Sequence, residues 1–489
     1  MRWNGRTLFA LVLVSMMASS LLTLAVVNSN AAAVGQTAMA SSNGLFAIGN
    51  GQEYPKEFAK LKDAYEIIKG RYVHNVESDQ LVQGAIQGMI SSLDDPYSDY
   101  MDAKAAEEFN SSLHSSFQGI GAEVSMQNGR VTVVSPIKGS PAELAGIRPN
   151  DVIISVNGES LDGLDLQKAV LKIRGPKGSK ATLKIARPGV SEPLTLVVTR
   201  DDIPIETVHV TSFTKNNKKI GRIEISQFAS ETAKDFGTEL AKLEKEGIQG
   251  LIIDVRGNPG GYLTAVKHIG EMLVPNKGVI VKIAYGDKAD KQDEIRSTAV
   301  KKKPYPIILL ADNGSASASE ILAGALRDSA GYKIIGEKTF GKGTVQDTVE
   351  MDDKSQIKLT IAKWLTPKGE WIHEKGIQPD IKVEQPEYFK AAQLPADKVL
   401  SFDMNSTDVK NLQLILTGLK YTPVRTDGYF DAKTVDAVKR FQTAKKLPVT
   451  GKVDAATAKA LQDQLITVLR EPANDAQLQK ALEVISTQK

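Results

Sequence analysis

Hydrophobic residues recur at helical spacing near both ends of the chain. One stripe predicts an amphipathic helix through its intervals of three and four residues, and it consists of Phe58, Leu61, Tyr65, Ile68 and Tyr72. A second stripe at 81–90 predicts another helix, which makes 53–114 an N-terminal helical region. A third stripe at 475–489 predicts a C-terminal helix within 467–489. Two amphipathic helices cannot bury both apolar faces alone, so we expect the N-terminal pair to pack on the rest of the chain or on a second copy.

The middle of the chain combines strand and helix patterns. Residues 115–200 show short strands separated by turn residues, with one helix near 164–173. Residues 201–385 alternate helices with strands, and the runs at 250–255 and 306–310 are apolar throughout, as in buried parallel strands. The sequence therefore predicts a multidomain α/β protein. Functional residues of such a sheet are expected at the carboxyl ends of its strands.

A short internal repeat follows a polar segment at 386–404 that reads as a linker. The motif G-x-x-D-A-x-T-x-x-A occurs twice within residues 405–466, with the copies 23 positions apart. Asp431 and Asp454 occupy the position expected for a helix N-cap. Because two copies are too few for a solenoid, we predict a small all-helical module with internal pseudo-symmetry.

The N-terminus carries a targeting pattern. Arg2 and Arg6 precede an uncharged run at 8–27, and small residues suited to cleavage follow the run. Residues 1–33 are therefore predicted to be a signal peptide or a membrane anchor, and both readings place the rest of the chain outside the cytoplasm. Residues 34–52, rich in small and polar side chains, are predicted to be a flexible linker.

The composition excludes several classes of protein. With 489 residues, the chain is long enough for about three domains. Its 61 basic and 58 acidic side chains leave a net charge of only +3, which argues against a dedicated nucleic-acid binder. The chain has no cysteine, which excludes thiol proteases, disulfide frameworks, zinc ribbons and iron–sulfur sites.

Ser317 is the candidate nucleophile. It lies in the run at 313–320, which follows a predicted buried strand and precedes an apolar helix. A helix N-terminus offers free N–H groups and a positive dipole end, and both stabilise negative charge that develops during a reaction. The same run fits a capping box, with Ser317 as N-cap and Glu320 three residues later, so the local pattern leaves both interpretations open.

A serine nucleophile needs a base, for which Lys342 is the best candidate. No local motif indicates any of the five histidines, which are His74, His114, His209, His268 and His373. Lys342 lies between two glycines without an acidic neighbour in sequence, and a lysine serves as a base when burial lowers its pKa. The run at 336–342 also fits the start of a phosphate loop, but Gly343 replaces the required hydroxyl residue and a strand pattern follows. A nucleotide site is therefore the weaker alternative.

Taken together, these positions resemble the carboxyl-terminal processing, or tail-specific, serine peptidases over roughly residues 50–385. In that family the central serine of an S-A-S-A-S-E-like run is the nucleophile, a lysine 25 positions later is the base, and a glutamine four positions beyond it orients the lysine. The resemblance implies these three roles for Ser317, Lys342 and Gln346.

The segment D-V-R-G-N-P-G-G at 254–261 is similar to the oxyanion loop of the same family. The resemblance implies that the backbone N–H of Gly260 or Gly261, together with that of Ala318, holds the oxyanion. It also implies a mechanism in which the neutral lysine takes the serine proton, then protonates the leaving amine and activates water. Neither a metal nor another cofactor is expected.

Two further regions resemble recognition modules. Residues 115–200 resemble a PDZ domain, which binds a peptide C-terminus and would hold its carboxylate with the backbone of Gly119, Ile120 and Gly121. The motifs that carry this resemblance are S-F-Q-G-I-G and S-P-A-E-L-A-G. Residues 405–466 resemble a small three-helix peptidoglycan-binding domain. The alternatives are a spacer without a ligand for the first region and a generic helical interaction module for the second.

These inferences predict an extracytoplasmic serine endopeptidase that cleaves proteins near their C-termini. Its core at 201–385 is expected to be an α/β serine protease fold with an inserted PDZ domain. The expected partners are protein tails, peptidoglycan, the membrane if the leader stays uncleaved, and a second copy of the chain; nucleic acid is not expected. An inactive wall-bound scaffold and a nucleotide-dependent switch are the alternatives from other functional classes.

Overall fold

The computed structural model describes residues 55–113, 116–127, 129–137, 139–188, 190–286, 291–395, 397–423 and 425–488. The predicted leader at 1–33 and linker at 34–52 lie outside these residues. None of the described helices is both long enough and apolar enough to cross a membrane. The chain divides into two compact units, Met1–Ala85 and Ile86–Lys489.

The N-terminal region contains the two predicted helices, α1 (Phe58–Arg71) and α2 (Ser78–Ser91). Tyr65 Oη donates a hydrogen bond of 2.8 Å to Ser78 Oγ. In the described structure neither helix contains a buried residue, and the Ile67 side chain is 55% exposed. Both helices lie where the amphipathic pattern predicted them.

The region at 116–204 is a small β domain with its own apolar core. Its elements are β2 (Ser116–Gly119), β3 (Ala122–Gln127), β4 (Arg130–Pro136), α4 (Pro141–Leu144), β5 (Val152–Val156), β6 (Glu159–Ser160), α5 (Leu166–Ile173), β7 (Lys180–Ala186), β8 (Leu194–Thr199) and β9 (Asp201–Pro204). The main sheet has the order β3-β4-β5-β7-β8 with β6 on β5, while β2 pairs with β9. Buried Asp151 receives a bidentate ion pair from Arg187, which joins the loop before β5 to the end of β7.

The largest core is built on a six-stranded sheet of order β10-β11-β12-β15-β16-β19. Its strands are β10 (Val208–Lys215), β11 (Lys218–Ile225), β12 (Gly250–Asp254), β15 (Ile307–Ala311), β16 (Lys333–Gly336) and β19 (Ile381–Lys382). All pairs after the β10–β11 hairpin are parallel, and β12 and β15 are buried throughout, as their apolar runs predicted. The helices between these strands are α6 (Thr232–Lys245), α7 (Leu263–Leu273) and α8 (Ala318–Asp328).

A second, antiparallel sheet lies beside the first in the same core. It contains β13 (Val279–Tyr285), β14 (Lys291–Arg296), β17 (Thr344–Glu350), β18 (Gln356–Leu365) and, from the N-terminal side, β1 (Asp99–Met101). Helix α3 (Ala103–Leu113) follows β1. The register pairs Tyr100 with Ile357, so the segment around β1 is aligned along β18.

The repeat forms a helical module of α9 (Thr407–Gly418), α10 (Ala432–Ala444) and α11 (Ala455–Arg470). Asp431 and Asp454 cap α10 and α11 as predicted. The segment predicted as a linker at 386–404 contains a 3-10 turn at Glu387–Lys390 and buries Leu394 and Leu400 in the core of the module. This part of the chain is therefore folded onto the module.

The last helix, α12 (Ala476–Thr487), returns to the protease core. Its apolar side packs on one face of the six-stranded sheet, in a buried cluster that includes Leu478, Leu482 and Ile485 of the helix and Ile252 of β12. The helical module is thus connected to the core sheet at both of its ends.

Candidate active site

Ser317 lies on the turn between β15 and α8, where the strand–turn–helix pattern predicted it. Its backbone has φ 53° and ψ −112°, a left-handed conformation that a residue with a side chain rarely adopts. An ordinary N-cap has extended backbone angles, so Ser317 is not an ordinary cap. The serine is half-buried, while the first nine residues of α8 are buried. The hydroxyl-bearing residue therefore stands at the accessible end of a buried helix.

Glu320 joins the serine turn to the lysine loop. Its carboxylate is fully buried and accepts four hydrogen bonds, from Ser317 N (2.9 Å), Thr339 Oγ1 (2.5 Å), Gly341 N (2.7 Å) and Lys342 N (2.9 Å). Burial raises the pKa of Glu320, and the four donors oppose this rise. Because Ser317 N and Lys342 N bind the same oxygen, the two candidate catalytic residues are neighbours although 25 positions separate them.

Lys342 lies in the loop between β16 and β17, and its backbone is fixed by aromatic side chains. Trp364 Nε1 donates to Lys342 O (2.8 Å) and Trp371 Nε1 donates to Gly343 O (2.9 Å). Burial lowers the pKa of Lys342, and the positive charge of Lys358 lowers it further. A lysine with a lowered pKa is suited to act as a general base, because its amine is neutral at a lower pH.

Gln346 is the third residue of β17, on the strand that leaves the lysine loop. Its amide nitrogen donates to Thr344 Oγ1 (2.9 Å) and Thr360 Oγ1 (3.2 Å). Among the described residues, no hydrogen bond joins this amide to the amine of Lys342. Gln346 is thus close to the lysine in sequence and on the same strand-loop unit, and its orienting role stays a prediction.

The glycine loop after β12 lies directly against the serine turn. A side chain at Gly260 would place its Cβ 2.9 Å from Ser317 Cβ and 3.1 Å from Ala318 N, so only glycine allows this approach. Gly260 N donates to Asn258 Oδ1 (2.8 Å). In the described part of the chain, the N–H groups of Gly261 and Ala318 donate to no protein acceptor. Of the two glycines that the resemblance left open, Gly261 is therefore the one with a free donor.

Ion pairs connect this loop to its neighbours. Arg256 donates to both oxygens of buried Asp254 (2.9 and 2.7 Å) and to both oxygens of Asp475, the residue before α12 (2.9 and 2.8 Å). Burial raises the pKa of Asp254, but the charges of Arg256 and Arg222 hold it below its usual value. The C-terminal helix is thereby tied to the loop that carries Gly261.

The predicted carboxylate-binding loop follows β2. Gly121 has φ 77° and packs so closely on Ser140 that a Cβ there would lie 2.4 Å from the Ser140 Cβ. Within the described ranges, the N–H groups of Ile120 and Gly121 have no protein acceptor, whereas Gly119 ends the strand. The guanidinium of Arg174, at the end of α5, lies 4.8 Å from the Phe117 ring and adds positive charge beside the loop.

Some residues of the site were not predicted from the sequence. The sequence indicates Glu320 only as part of a cap, and no sequence pattern indicates a role of Asp475 at the site. Asn258 is fully buried and accepts, through its backbone oxygen, from Ala316 N (3.0 Å) and Ser319 Oγ (2.9 Å), which ties the glycine loop to the serine turn. The available signal was weak, because a single polar residue inside an apolar run does not identify its partner.

The structure bears on the alternatives for the lysine loop as well. Residues after Gly343 form strand β17, as predicted, and a phosphate loop would open a helix instead. Across the described ranges, no group of three or more His, Asp or Glu side chains is arranged to hold a metal ion.

Comparison with known proteins identifies the domains. The family model of peptidase family S41 matches residues 219–383, that of a PDZ domain 132–187 and that of a peptidoglycan-binding domain 405–461. A model described as the N-terminal domain of the activating protease CtpB matches residues 16–105. These matches confirm the predicted α/β protease fold with PDZ and C-terminal helical modules.

Similar proteins extend over most of the chain. The carboxy-terminal processing protease CtpB of Bacillus subtilis (strain 168) is 49% identical over 430 residues, 88% of this chain and 89% of that protein. CtpA of the same organism is 42% identical over 478 residues, 98% of each chain. Among solved structures, the photosystem II D1 C-terminal processing protease is 29% identical, with a TM-score of 0.41 over 68% of this chain and 94% of that one. The chain therefore belongs to the carboxy-terminal processing serine proteases of peptidase family S41.

Proposed function

We propose that Ser317 is the nucleophile and Lys342 the general base of this protease. The observation that supports this assignment is the buried Glu320 carboxylate, which holds the backbones of both residues on one oxygen. The neutral amine takes the hydroxyl proton as Oγ attacks the scissile carbonyl. It then gives this proton to the leaving amine and activates the water that hydrolyses the acyl-enzyme. Gln346 orients the lysine from strand β17.

The N–H groups of Gly261 and Ala318 stabilise the oxyanion in this mechanism. Both amides are free of protein acceptors in the described structure, and Ala318 adds the positive end of the dipole of α8. Gly260 is needed for close approach, since its own N–H is held by Asn258.

The two other domains direct the protease to its substrates. The free N–H groups of Ile120 and Gly121, beside Arg174, suit the carboxylate of a C-terminal tail. The module at 405–461 binds peptidoglycan, and the apolar run near the N-terminus exports the chain or anchors it. We therefore infer a protease of the cell envelope that selects proteins by their C-terminal tails and cleaves near them.

Cleavage of an unstructured protein with an apolar C-terminal tail tests the catalytic assignment. Without metal or nucleotide, we expect Ser317→Ala and Lys342→Ala to abolish cleavage, because each removes a reacting group. Lys338→Ala is the matched control, since Lys338 is exposed in the same loop and should keep full activity. Amidation of the substrate C-terminus should weaken cleavage by the unaltered enzyme. Cleavage that survives Ser317→Ala in purified protein would contradict the assignment.

A further inference from the structure

The amine of Lys342 has an aromatic neighbour from a distant part of the chain. Its Nζ lies 4.9 Å from the centre of the Tyr97 ring. Among the residues that the structure describes, this amine makes neither a hydrogen bond nor an ion pair. Tyr97 lies outside residues 219–383, which match the peptidase family, so the peptidase region alone does not supply this contact.

Several bonds place the Tyr97 ring over the lysine. Strand β1, which follows Tyr97 closely, pairs with β18. Ser98 Oγ accepts from Thr360 N (3.0 Å) on β18 and donates to Asp95 Oδ2 (2.6 Å). Tyr97 N in turn donates to Asp95 Oδ1 (3.1 Å). The ring is therefore carried by a short ordered turn that is fixed to the strand beside Gln346.

The Tyr97 ring also contacts an aromatic pair in the loop before β19. His373 packs edge-on against Tyr97, with ring centres 6.0 Å apart, and stacks on Trp371 at 5.2 Å. Gly343 N donates to His373 Nδ1 (3.3 Å). Tyr97 is thus half-buried between the lysine side chain and an aromatic pair that holds the backbone of the next residue.

We propose that Tyr97 is a positioning residue of the protease site, whose ring covers the amine of Lys342, excludes water from it and holds it in one rotamer. This proposal rests on Lys342 being the general base. An amine without its hydration shell favours the neutral form, which is the form that removes a proton from serine. The ring face also attracts a cation, which favours the protonated amine, but burial is the largest cause acting on the pKa of Lys342 and lowers it, so the loss of hydration dominates.

The groups near the Lys342 amine are consistent with burial as the main influence on its pKa. The charged groups that act on the amine are Lys358 of β18, Asp95 of the N-terminal segment and Glu320 of α8. His373 and Glu374, of the loop before β19, act on the neighbouring Tyr97. Burial is the largest cause that lowers the pKa of Lys342, followed by Lys358, while Asp95 and Glu320 act in the opposite direction. Removing the ring would reduce burial and leave both carboxylates in place.

The contact involves the ring and not the phenol. In the described structure Tyr97 Oη forms no hydrogen bond, so phenylalanine should serve equally well at this position. The proposal therefore separates two substitutions: Tyr97→Phe keeps the cover, and Tyr97→Ala removes it. Tyr72→Ala is the matched control, because Tyr72 is an exposed tyrosine of the N-terminal helical region.

The first test measures kcat/KM of the full chain between about pH 5 and pH 10. For Tyr97→Ala we expect the acidic limb to move to higher pH by about one unit, which lowers activity about tenfold on that limb and little at high pH. Tyr97→Phe and Tyr72→Ala should retain the unaltered profile. The shift must persist in a His373→Gln background, which removes the imidazole beside Tyr97. An unchanged profile, or an equal loss at every pH, would overturn the proposal.

The second test observes the lysine directly in the inactive Ser317→Ala protein. Lysine labelled with ¹³C at Cε gives one resonance per residue, and Lys342→Arg identifies that of Lys342. Its titration midpoint should rise with Tyr97→Ala and stay with Tyr97→Phe; if the alanine variant does not fold, Tyr97→Leu replaces it. A midpoint that Tyr97 does not affect would refute the positioning role even if Lys342→Ala is inactive. An active Lys342→Ala enzyme would instead refute the proposed base.

Discussion

Helix α8 of the protease core and helices α10 and α11 of the C-terminal module begin at polar residues that look alike in sequence. Asp431 and Asp454 accept from the N–H three residues later at 2.8 and 2.9 Å, with extended backbones, φ −87° and −84°. Ser317, also followed three residues later by a suitable partner, has φ 53° instead. A similar local pattern thus precedes two helices with an ordinary N-cap and one helix whose N-cap residue has a strained backbone.

The difference comes from what surrounds each cap. The aspartates of the module bind their own helix and face solvent on the other side. At α8, Gly260 packs closely against Ser317. The Glu320 carboxylate accepts hydrogen bonds from Ser317 N and from Lys342 N of the lysine loop. A strained backbone persists only where many contacts determine it, and such contacts gather at functional sites. The comparison therefore supports the proposal that the start of α8 is the reactive one.

The largest effect on the strained N-terminus of α8 is expected from Gly260→Ala. The new Cβ would lie 2.9 Å from both Ser317 Cβ and Ala316 O, at a φ of 107°, so the turn or the loop must move. We expect kcat/KM to fall about 10²- to 10³-fold, as when an oxyanion donor is lost. Gly257→Ala is the control, because its φ of 65° is also positive but no atom lies within 4 Å of its Cβ. Equal losses in both variants would show that backbone strain alone, and not the close approach, decides activity.

The next largest effect is expected from Glu320→Gln. Each carboxylate oxygen accepts two donors, and an amide would turn its own NH₂ group towards one of those pairs. We expect the free energy of unfolding to fall by about 3 kcal/mol and kcat to fall with it. Urea unfolding and steady-state kinetics measure the two quantities. Glu374→Gln, at an exposed position of a neighbouring loop, should change stability by less than about 0.5 kcal/mol. A stable, fully active Glu320→Gln enzyme would show that the connection between the two loops is dispensable.

The smallest effects are expected from substitutions at the aspartate caps. Asp454→Ala should cost about 1 kcal/mol, the usual value of an N-cap. Asp475→Ala should cost about 2 kcal/mol, because Asp475 caps α12 through Leu478 N and also pairs with half-buried Arg256 beneath the glycine loop. Only Asp475→Ala should also lower activity. Equal costs in urea unfolding, with unchanged kcat in both, would make Asp475 an ordinary cap.

The repeat module shows which features a local sequence pattern predicts and which it does not. The two aspartate caps and the helices behind them were predicted from a motif of ten residues. The buried amides that complete each copy were not. Gln413 binds Gly428 N and Tyr429 O, and Gln442 binds Gly451 N and Lys452 O, all at 2.8 to 2.9 Å. The two glutamines perform equivalent roles, but they lie outside the repeated motif and at different distances from it, so the pattern could not reveal them.

In the protease site, too, some features could be predicted from the sequence and others required the structure. Resemblance to a family indicated Ser317, Lys342 and Gln346, and the apolar run at 306–310 predicted the strand that precedes Ser317. The choice between Gly260 and Gly261 required knowing which N–H was already bound by Asn258. The cap interpretation of Glu320 was incomplete, because its carboxylate also takes donors from a loop about 20 positions away.

Neighbours in the chain account for the amphipathic helices, the buried strands, the helix caps and the spacing of the serine and the lysine, so all of these could be predicted without a structure. Three other features became visible only in the folded chain: the left-handed conformation of Ser317, the four donors of Glu320 and the position of Tyr97 over Lys342. The physical reason is that these features depend on contacts between distant segments. Each distant contact is weak as a sequence signal, and together they fix the geometry on which the chemistry depends.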